Sequence, residues 1–237
     1  MSESVGALWN RARAPQQGFR DRCAARPALG EALRGLLAAR TGPAFLSLVL
    51  SWLGFSSLYQ GFLHLDGPAA QALLDKLPEG VSQADVRALL QGLPPLPSWG
   101  HVLPWLVLLA PLGVLSLWLH DAVWDHLCLW LLRGLRRPKS LGLTLVADAE
   151  ALKVGALGTA VGLLGDLPGV GCLFTALLLP VGIYFWVLRG FALAAWHGCP
   201  LWKGITATLI HGALALILAL GTLFLFLGFT LWAIGGA

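Results

Sequence analysis

Apolar residues occur along the chain in five long runs, separated by segments that carry most of the charge. A helix that crosses the roughly 30 Å hydrocarbon layer of a bilayer needs about 20 predominantly apolar residues. The pattern therefore predicts five transmembrane helices, at residues 43–63, 102–132, 145–164, 170–188 and 205–232. The second run is too long for one upright span, so we expect it to tilt, project or kink at Pro104 and Pro111.

The lysines and arginines predict how these spans are oriented. They concentrate before the first span, between the second and third, and between the fourth and fifth. The connection at 64–100, on the opposite side, has only Lys76 and Arg87. Because loops rich in Lys and Arg stay in the cytoplasm, we expect a cytoplasmic N-terminus and an external C-terminus. No cleavable leader is expected, since about 40 polar and basic residues precede the first apolar run.

Composition supports this interpretation. Of the 237 residues, 57% are hydrophobic and 12% are charged, against roughly a quarter charged in a soluble domain. The mean hydropathy of +0.74 indicates that lipid, rather than water, surrounds most of the surface. We therefore predict an all-α polytopic membrane protein. A basic cytoplasmic segment occupies residues 1–42, and a five-helix membrane domain occupies residues 43–237 with a folded outer loop at 64–100.

The N-terminal segment combines leucines at helical spacing with arginines. The arginines nearest the first span are Arg26, Arg34 and Arg40. A helix of this kind lies in the membrane interface, where its cations are attracted to anionic lipid headgroups. Two interpretations remain open, a positive anchor that faces lipid and a docking surface for a cytosolic partner. The outer loop has helix-start signals at Asp66 and Ser82, and predicts either a structural hairpin or a lid over a cavity.

Ionisable residues near the second and third spans form the candidate site. They are His120, Asp121, Asp125, His126, Asp148, Glu150 and Lys153. Charged groups within a span are costly and therefore suggest a function. A salt-bridge network at the cytoplasmic interface is the favoured interpretation, with Arg133, Arg136, Arg137 and Lys153 as partners. A proton or ion pathway and a divalent-metal site are the alternatives, and we expect no resident metal or cofactor.

Small residues in the third span predict close helix packing. Gly155, Gly158 and Gly162 lie at spacings that let two helix backbones approach each other. The predicted partners are helices of the same chain, and a homo-oligomer is the alternative.

Several segments together resemble a known family. The second span ends in Asp125-His126-Leu127, and the third opens with the sequence 143–147 and leads to a Gly-Pro hairpin at 165–171. The fourth span runs into the sequence 188–198, and Lys203-Gly204 precedes the last span. With the basic lead-in at Arg26-Pro27, about two thirds of the chain is similar to bacterial Yip-domain proteins, named for the Ypt-interacting proteins of membrane traffic. The resemblance implies five spans and action through partner or lateral contacts, and it implies no catalytic residue.

Two functional hypotheses follow. The first is a non-enzymatic scaffold or accessory subunit that binds membrane lipids and protein partners, and not nucleic acid. The second is a small transporter or channel that uses the acidic residues. A lipid-modifying enzyme is a distant third, because neither H-E-x-x-H nor G-x-S-x-G occurs. The preference for Arg over Lys and the richness in Ala, Leu and Gly favour a bacterial protein of the cytoplasmic (inner) membrane.

Overall fold

The computed structural model describes residues 4–63, 82, 84, 86, 88, 92, 94–136, 141–165 and 171–235. Within these residues the fold is helical and has no strand, which confirms the all-α prediction for this part of the chain. The helices are α1 (Val5–Arg13), α2 (Pro15–Ala24), α3 (Leu29–Leu63), α4 (Trp99–Leu131), α5 (Leu141–Gly165), α6 (Gly171–His197) and α7 (Leu201–Gly235).

Four stretches of the described chain are long and apolar enough to cross a bilayer. They are Leu29–Gly61 in α3, Trp99–Leu131 in α4, Leu179–His197 in α6 and Leu201–Thr230 in α7. Although α5 is 25 residues long, it carries Asp148, Glu150 and Lys153 within one stretch. The structure thus supports four candidate spans where the sequence predicts five. A span at α5 and the orientation of the termini remain predictions.

Helix α5 lies at the centre of the fold and contacts α1, α3, α4 and α6. Every residue from Val146 to Val154 is buried, so this part of α5 is covered on all sides. Helix α6 also packs against α2 and α7. A polar side chain on the enclosed part of α5 must therefore find its partners inside the protein, because burial without a partner is costly.

The N-terminal segment folds back onto the bundle. Ser4 caps α1 by accepting a hydrogen bond from the Ala7 backbone N–H, and Pro15 begins α2 at a position where its missing N–H costs nothing. Phe19 is fully buried, and its ring meets Trp196 edge-on at 6.4 Å between centroids. The next helix, α3, is continuous from Leu29 to Leu63 and passes through the predicted boundary at residues 42 and 43.

Glycines bring α6 and α7 into backbone contact. A Cβ atom at Gly190 would lie 2.5 Å from the Ile205 Cα, so the helices could not cross at this distance with a larger residue there. Of the predicted packing glycines, Gly158 lies directly against the Phe185 ring and Gly155 lies farther from it. A Cβ at Gly162 would meet no atom of the described residues within 4 Å. Pro104 and Pro111, the predicted kink positions, lie inside an α4 that remains one helix. Most of the outer loop lies outside the described residues.

Candidate functional site

Arg189 of α6 extends into a group of three buried carboxylates. Its Nη1 lies 2.9 Å from Asp121 Oδ2, its Nη2 lies 2.7 Å from Asp125 Oδ2, and its Nε lies 3.6 Å from Asp148 Oδ1. Asp121 and Asp125 are one turn apart on α4, so one planar guanidinium can pair with both. These four residues, with His211, are called the Arg189 cluster below.

His211 joins the cluster from α7. Its Nδ1 lies 2.7 Å from Asp125 Oδ1, and its side chain is 2% exposed. Aromatic rings surround it, with the Trp186 ring edge-on at 4.9 Å and the Trp124 ring stacked at 6.2 Å between centroids. The other ring nitrogen, Nε2, is buried and has no hydrogen-bond partner among the described residues. A polar atom in this state is costly, so it identifies a place where a ligand could bind.

Asp148 is the least satisfied acid of the cluster. Its side chain is fully buried, and neither carboxylate oxygen has a hydrogen-bond partner in the described part of the chain. The three carboxylates share one guanidinium at contact distance, so the cluster has an excess of negative charge when all three are ionised. Arg40 of α3 lies near enough to Asp121 to offset part of that excess.

A second charged group, the Glu150 cluster, lies on another side of α5. Residues two positions apart on an α-helix differ by about 200° in direction around the helix axis, so Asp148 and Glu150 face different neighbours. The Glu150 carboxylate accepts hydrogen bonds from Arg11 at 2.9 Å, Arg22 at 3.2 Å and Lys153 at 2.6 Å. Burial lowers the pKa of the Arg11 guanidinium even though Glu150 attracts its charge. The cluster therefore fastens α1 and α2 to α5.

A third polar group lies where α4, α5 and α6 meet. The Arg136 backbone N–H donates to His197 Nδ1 at 3.3 Å, and His197 Nε2 lies 3.0 Å from Thr144 Oγ1. Thr144 Oγ1 in turn lies 2.9 Å from His126 Nδ1. Since Nδ1 of His197 accepts, its Nε2 donates to Thr144, whose hydroxyl can then donate to His126. The chain of hydrogen bonds fixes the ends of three helices.

An open cavity of about 350 Å³ adjoins the Arg189 cluster. Its polar lining comes from Arg40, Asp121, Thr159 and Arg189, and aromatic rings of Phe185 and Trp186 complete part of the wall. The Arg40 Nη2 donates to Thr159 Oγ1 at 2.9 Å, so this cation faces the interior of the bundle. Of the other basic residues predicted to face lipid or a partner, Arg26 and Arg34 are exposed.

The structure divides the predicted site residues among three places. Asp121, Asp125 and Asp148 gather around Arg189, and His120 lies beside Asp121 with its Nδ1 3.3 Å from Oδ1. Glu150 and Lys153 pair with each other, as the sequence suggests, but in the separate Glu150 cluster. His126 belongs to the third group. Potential metal ligands come together once in the described chain, where His120, Asp121 and His211 have ligand atoms within 4.8 Å of one another.

Sequence reasoning missed the principal partners of the acids. Of the predicted cations, Lys153 pairs with Glu150, Arg133 and Arg136 are exposed, and Arg137 lies outside the described residues. The ion pairs with arginine are made by Arg189, Arg11 and Arg22. Two signals were present in the sequence. Arg189 follows a long uncharged run of α6, and His211 is the one ionisable residue in the last apolar run at 205–232. The arginines of α1 and α2 gave no signal, because their partner is more than 120 positions away.

Compared with known proteins, the chain matches no family model, no curated protein and no solved structure.

Proposed function

We propose that the chain is a non-enzymatic integral membrane protein of the Yip-like kind, a scaffold or accessory subunit in the bacterial inner membrane that binds protein partners. The proposal includes five spans, with the N-terminus in the cytoplasm and with α5, the third predicted span along the chain, added to the four candidate spans. Support for α5 as a span comes from its charged residues, which are buried against other helices, as intramembrane charges generally are.

One observation carries the proposal, namely that the N-terminal segment is built as an ordered surface. Arg11 and Arg22 are used internally by Glu150, and Phe19 is buried against Trp196. Arg40 faces the interior of the bundle, and the other arginines of the segment are exposed. Arg13, Arg20, Arg26 and Arg34 form this exposed set, which we call the basic platform. A fixed surface whose cations make no ion pair within the described part of the chain suits a partner or lipid of negative charge. The conformational entropy of the segment has already been lost on folding, so binding does not have to order it.

The buried acids support a structural role rather than catalysis. The carboxylates of Asp121, Asp125 and Glu150 are each held by arginines of the same chain. A carboxylate fixed by a guanidinium is a poor general base, because the cation stabilises its ionised form.

The test is co-purification from the native membrane followed by mass spectrometry. The variant R13Q/R20Q/R26Q/R34Q removes the cations of the basic platform and leaves Arg11 and Arg22 in place. The matched control is R133Q/R136Q, which removes two exposed cations from the connection after α4. We expect a stoichiometric partner with the wild type and the control, and its loss with the platform variant. A chain that purifies without any stoichiometric partner would contradict the proposal.

A second candidate function, a small transporter or channel, is favoured by the open cavity beside Asp121 and Arg189. Buried ionisable groups that line a cavity are typical of ion and proton pathways. Ion flux into proteoliposomes tests this candidate. Flux that the wild type supports and the folded D121N/D125N variant abolishes would establish it, and an impermeable wild type would reject it.

A further inference from the structure

His211 of the Arg189 cluster has a buried ring nitrogen without a partner in the described chain and belongs to a group of three potential metal ligands. The buried Nε2 of His211 has no hydrogen-bond partner among the described residues. The His211 and His120 rings lie 5.5 Å apart between centroids, and the ligand atoms of both histidines and Asp121 lie within 4.8 Å of one another. Two imidazoles with one carboxylate are a common ligand set for zinc and for other divalent transition metals.

The separation of two of these ligand atoms already suits a small cation. The His120 Nδ1 and Asp121 Oδ1 atoms are 3.3 Å apart, which is long for a hydrogen bond. Metal bonds of 2.0–2.1 Å in tetrahedral geometry place neighbouring ligand atoms about 3.3 Å apart. His120 and Asp121 therefore already lie at the separation of two ligands of one metal ion. The exposed half of the His120 side chain also lets that residue adjust its position.

The surroundings of His211 resemble those of a metal-binding histidine. Such residues generally use one ring nitrogen for the metal while a carboxylate accepts a hydrogen bond from the other. The Nδ1 of His211 lies 2.7 Å from Asp125 Oδ1, and this contact places a proton on Nδ1, so that the neutral ring carries its lone pair on Nε2. Asp125 is therefore a positioning residue, since it acts on the cation through His211.

Charge favours the same conclusion. Asp121, Asp125 and Asp148 are buried, and the guanidinium of Arg189 is the one cation that the described residues place in contact with all three. A divalent cation would offset the excess negative charge that the cluster carries when all three carboxylates are ionised. Asp121 can serve both cations, because its Oδ2 faces Arg189 and its Oδ1 faces His120.

We propose that His120, Asp121 and His211 form a binding site for one divalent transition-metal ion of the zinc type, with Asp125 holding His211 in the ligating tautomer. The site goes beyond the proposed scaffold function and differs from the expectation, drawn from the sequence, that no metal binds. It joins α4 to α7, so a bound ion would also connect the two helices.

The experiment measures Zn²⁺ binding to the full-length chain in detergent, after chelator treatment and removal of any histidine tag. Zinc content by mass spectrometry gives the stoichiometry, and competition with a chromophoric chelator gives the affinity. We expect one ion per chain, a large loss of affinity in H120Q and H211N, and a loss of about 10- to 100-fold in D125N. Co²⁺ should bind in the same place and give the visible absorption of a low-coordinate site.

The matched control is H101Q, which changes an exposed histidine near the start of α4, the helix that also carries His120. It should bind Zn²⁺ as the wild type does. H120Q is the decisive variant, because its partly exposed side chain can change without unfolding the protein. The proposal is overturned if the wild type shows no saturable binding, if H120Q binds as tightly as the wild type, or if H101Q weakens binding equally.

Discussion

The chain has two regions that are stabilised in different ways. Around the first half of α5, charged side chains are buried among the neighbouring helices, and nearly all of them contact a partner of opposite charge. In the second half of α7, every residue from Leu216 to Phe229 is exposed, and most of these residues are large and apolar. Polar pairs hold the helices of the first region in one arrangement, whereas the second region is held in place only by its hydrophobic character.

The difference follows from the solvent. Lipid tails are as apolar as leucine, so apolar helix faces gain little by leaving lipid for one another. Specific association in a membrane then depends on polar contacts and on small residues that let backbones approach. The Arg189 cluster and the contact of Gly190 with Ile205 supply these two elements. We therefore expect stability to respond strongly to changes in the first region and weakly to changes in the second.

Substitution of Arg189 should have the largest effect. R189L leaves three buried carboxylates without their guanidinium, and breaking a buried ion pair in this way costs about 3–5 kcal/mol. Thermal unfolding in detergent, followed by tryptophan fluorescence, measures the loss. The control R34Q removes an exposed arginine whose side chain donates to the nearby Gly30 carbonyl, and it should unfold as the wild type does.

A second variant separates charge from shape at this position. R189L combined with D121N, D125N and D148N removes the uncompensated charges as well as the guanidinium. It should recover part of the lost stability, because neutral side chains are less costly to bury than unpaired carboxylates. Equal stability of R189L and the wild type would show that the cluster does not hold the helices together.

Substitution of Glu150 should release the N-terminal segment. E150Q leaves the Arg11, Arg22 and Lys153 cations around a neutral amide, at a cost of about 2–3 kcal/mol. Trypsin should then cleave after Arg13 and Arg20 more than about tenfold faster, because each 1.4 kcal/mol changes an opening equilibrium tenfold. E31Q is the matched control, since the exposed Glu31 contacts Arg22 alone among these cations. Equal cleavage of E150Q and E31Q would contradict the role given to the Glu150 cluster.

The glycine contact between α6 and α7 should have an intermediate effect. G190A places a methyl group against the Ile205 backbone, and overpacking of this kind costs about 1–3 kcal/mol. G182A is the control on the same helix, because a Cβ atom there meets nothing within 4 Å. The unfolding temperature of G190A should fall, and that of G182A should not. A similar fall in both would show that the close crossing is not the cause, because alanine favours a helix over glycine at either position.

Sequence patterns predicted the helices far better than the site. The apolar runs were long enough to identify α3, α4, α6 and α7 as candidate spans, because crossing a bilayer requires that length. They missed α1 and α2, which are short and polar and are ordered by contacts with distant residues such as Glu150 and Trp196. Local patterns cannot contain that information.

The candidate site was predicted as a set of acids but not as an arrangement. Spacing on one helix placed Asp121 and Asp125 on a common face, and the structure pairs both with Arg189. The sequence could not place Asp148 beside them and Glu150 elsewhere, because that separation depends on which helices surround α5. His211 was missed for the same reason, since α7 meets α4 only in the folded bundle.

The smallest effect is expected in the second half of α7. Leu225 is 78% exposed, so L225A removes a side chain that contacts solvent or lipid rather than the protein. Its unfolding free energy should stay within about 0.5 kcal/mol of the wild type. L193A is the contrasting variant, because Leu193 is fully buried and its truncation should cost about 2–5 kcal/mol. In native membranes the same L225A change tests the surface itself. If it leaves partner co-purification unchanged, lipid covers this face, whereas a loss of the partner would place the protein interface on α7 instead of the basic platform.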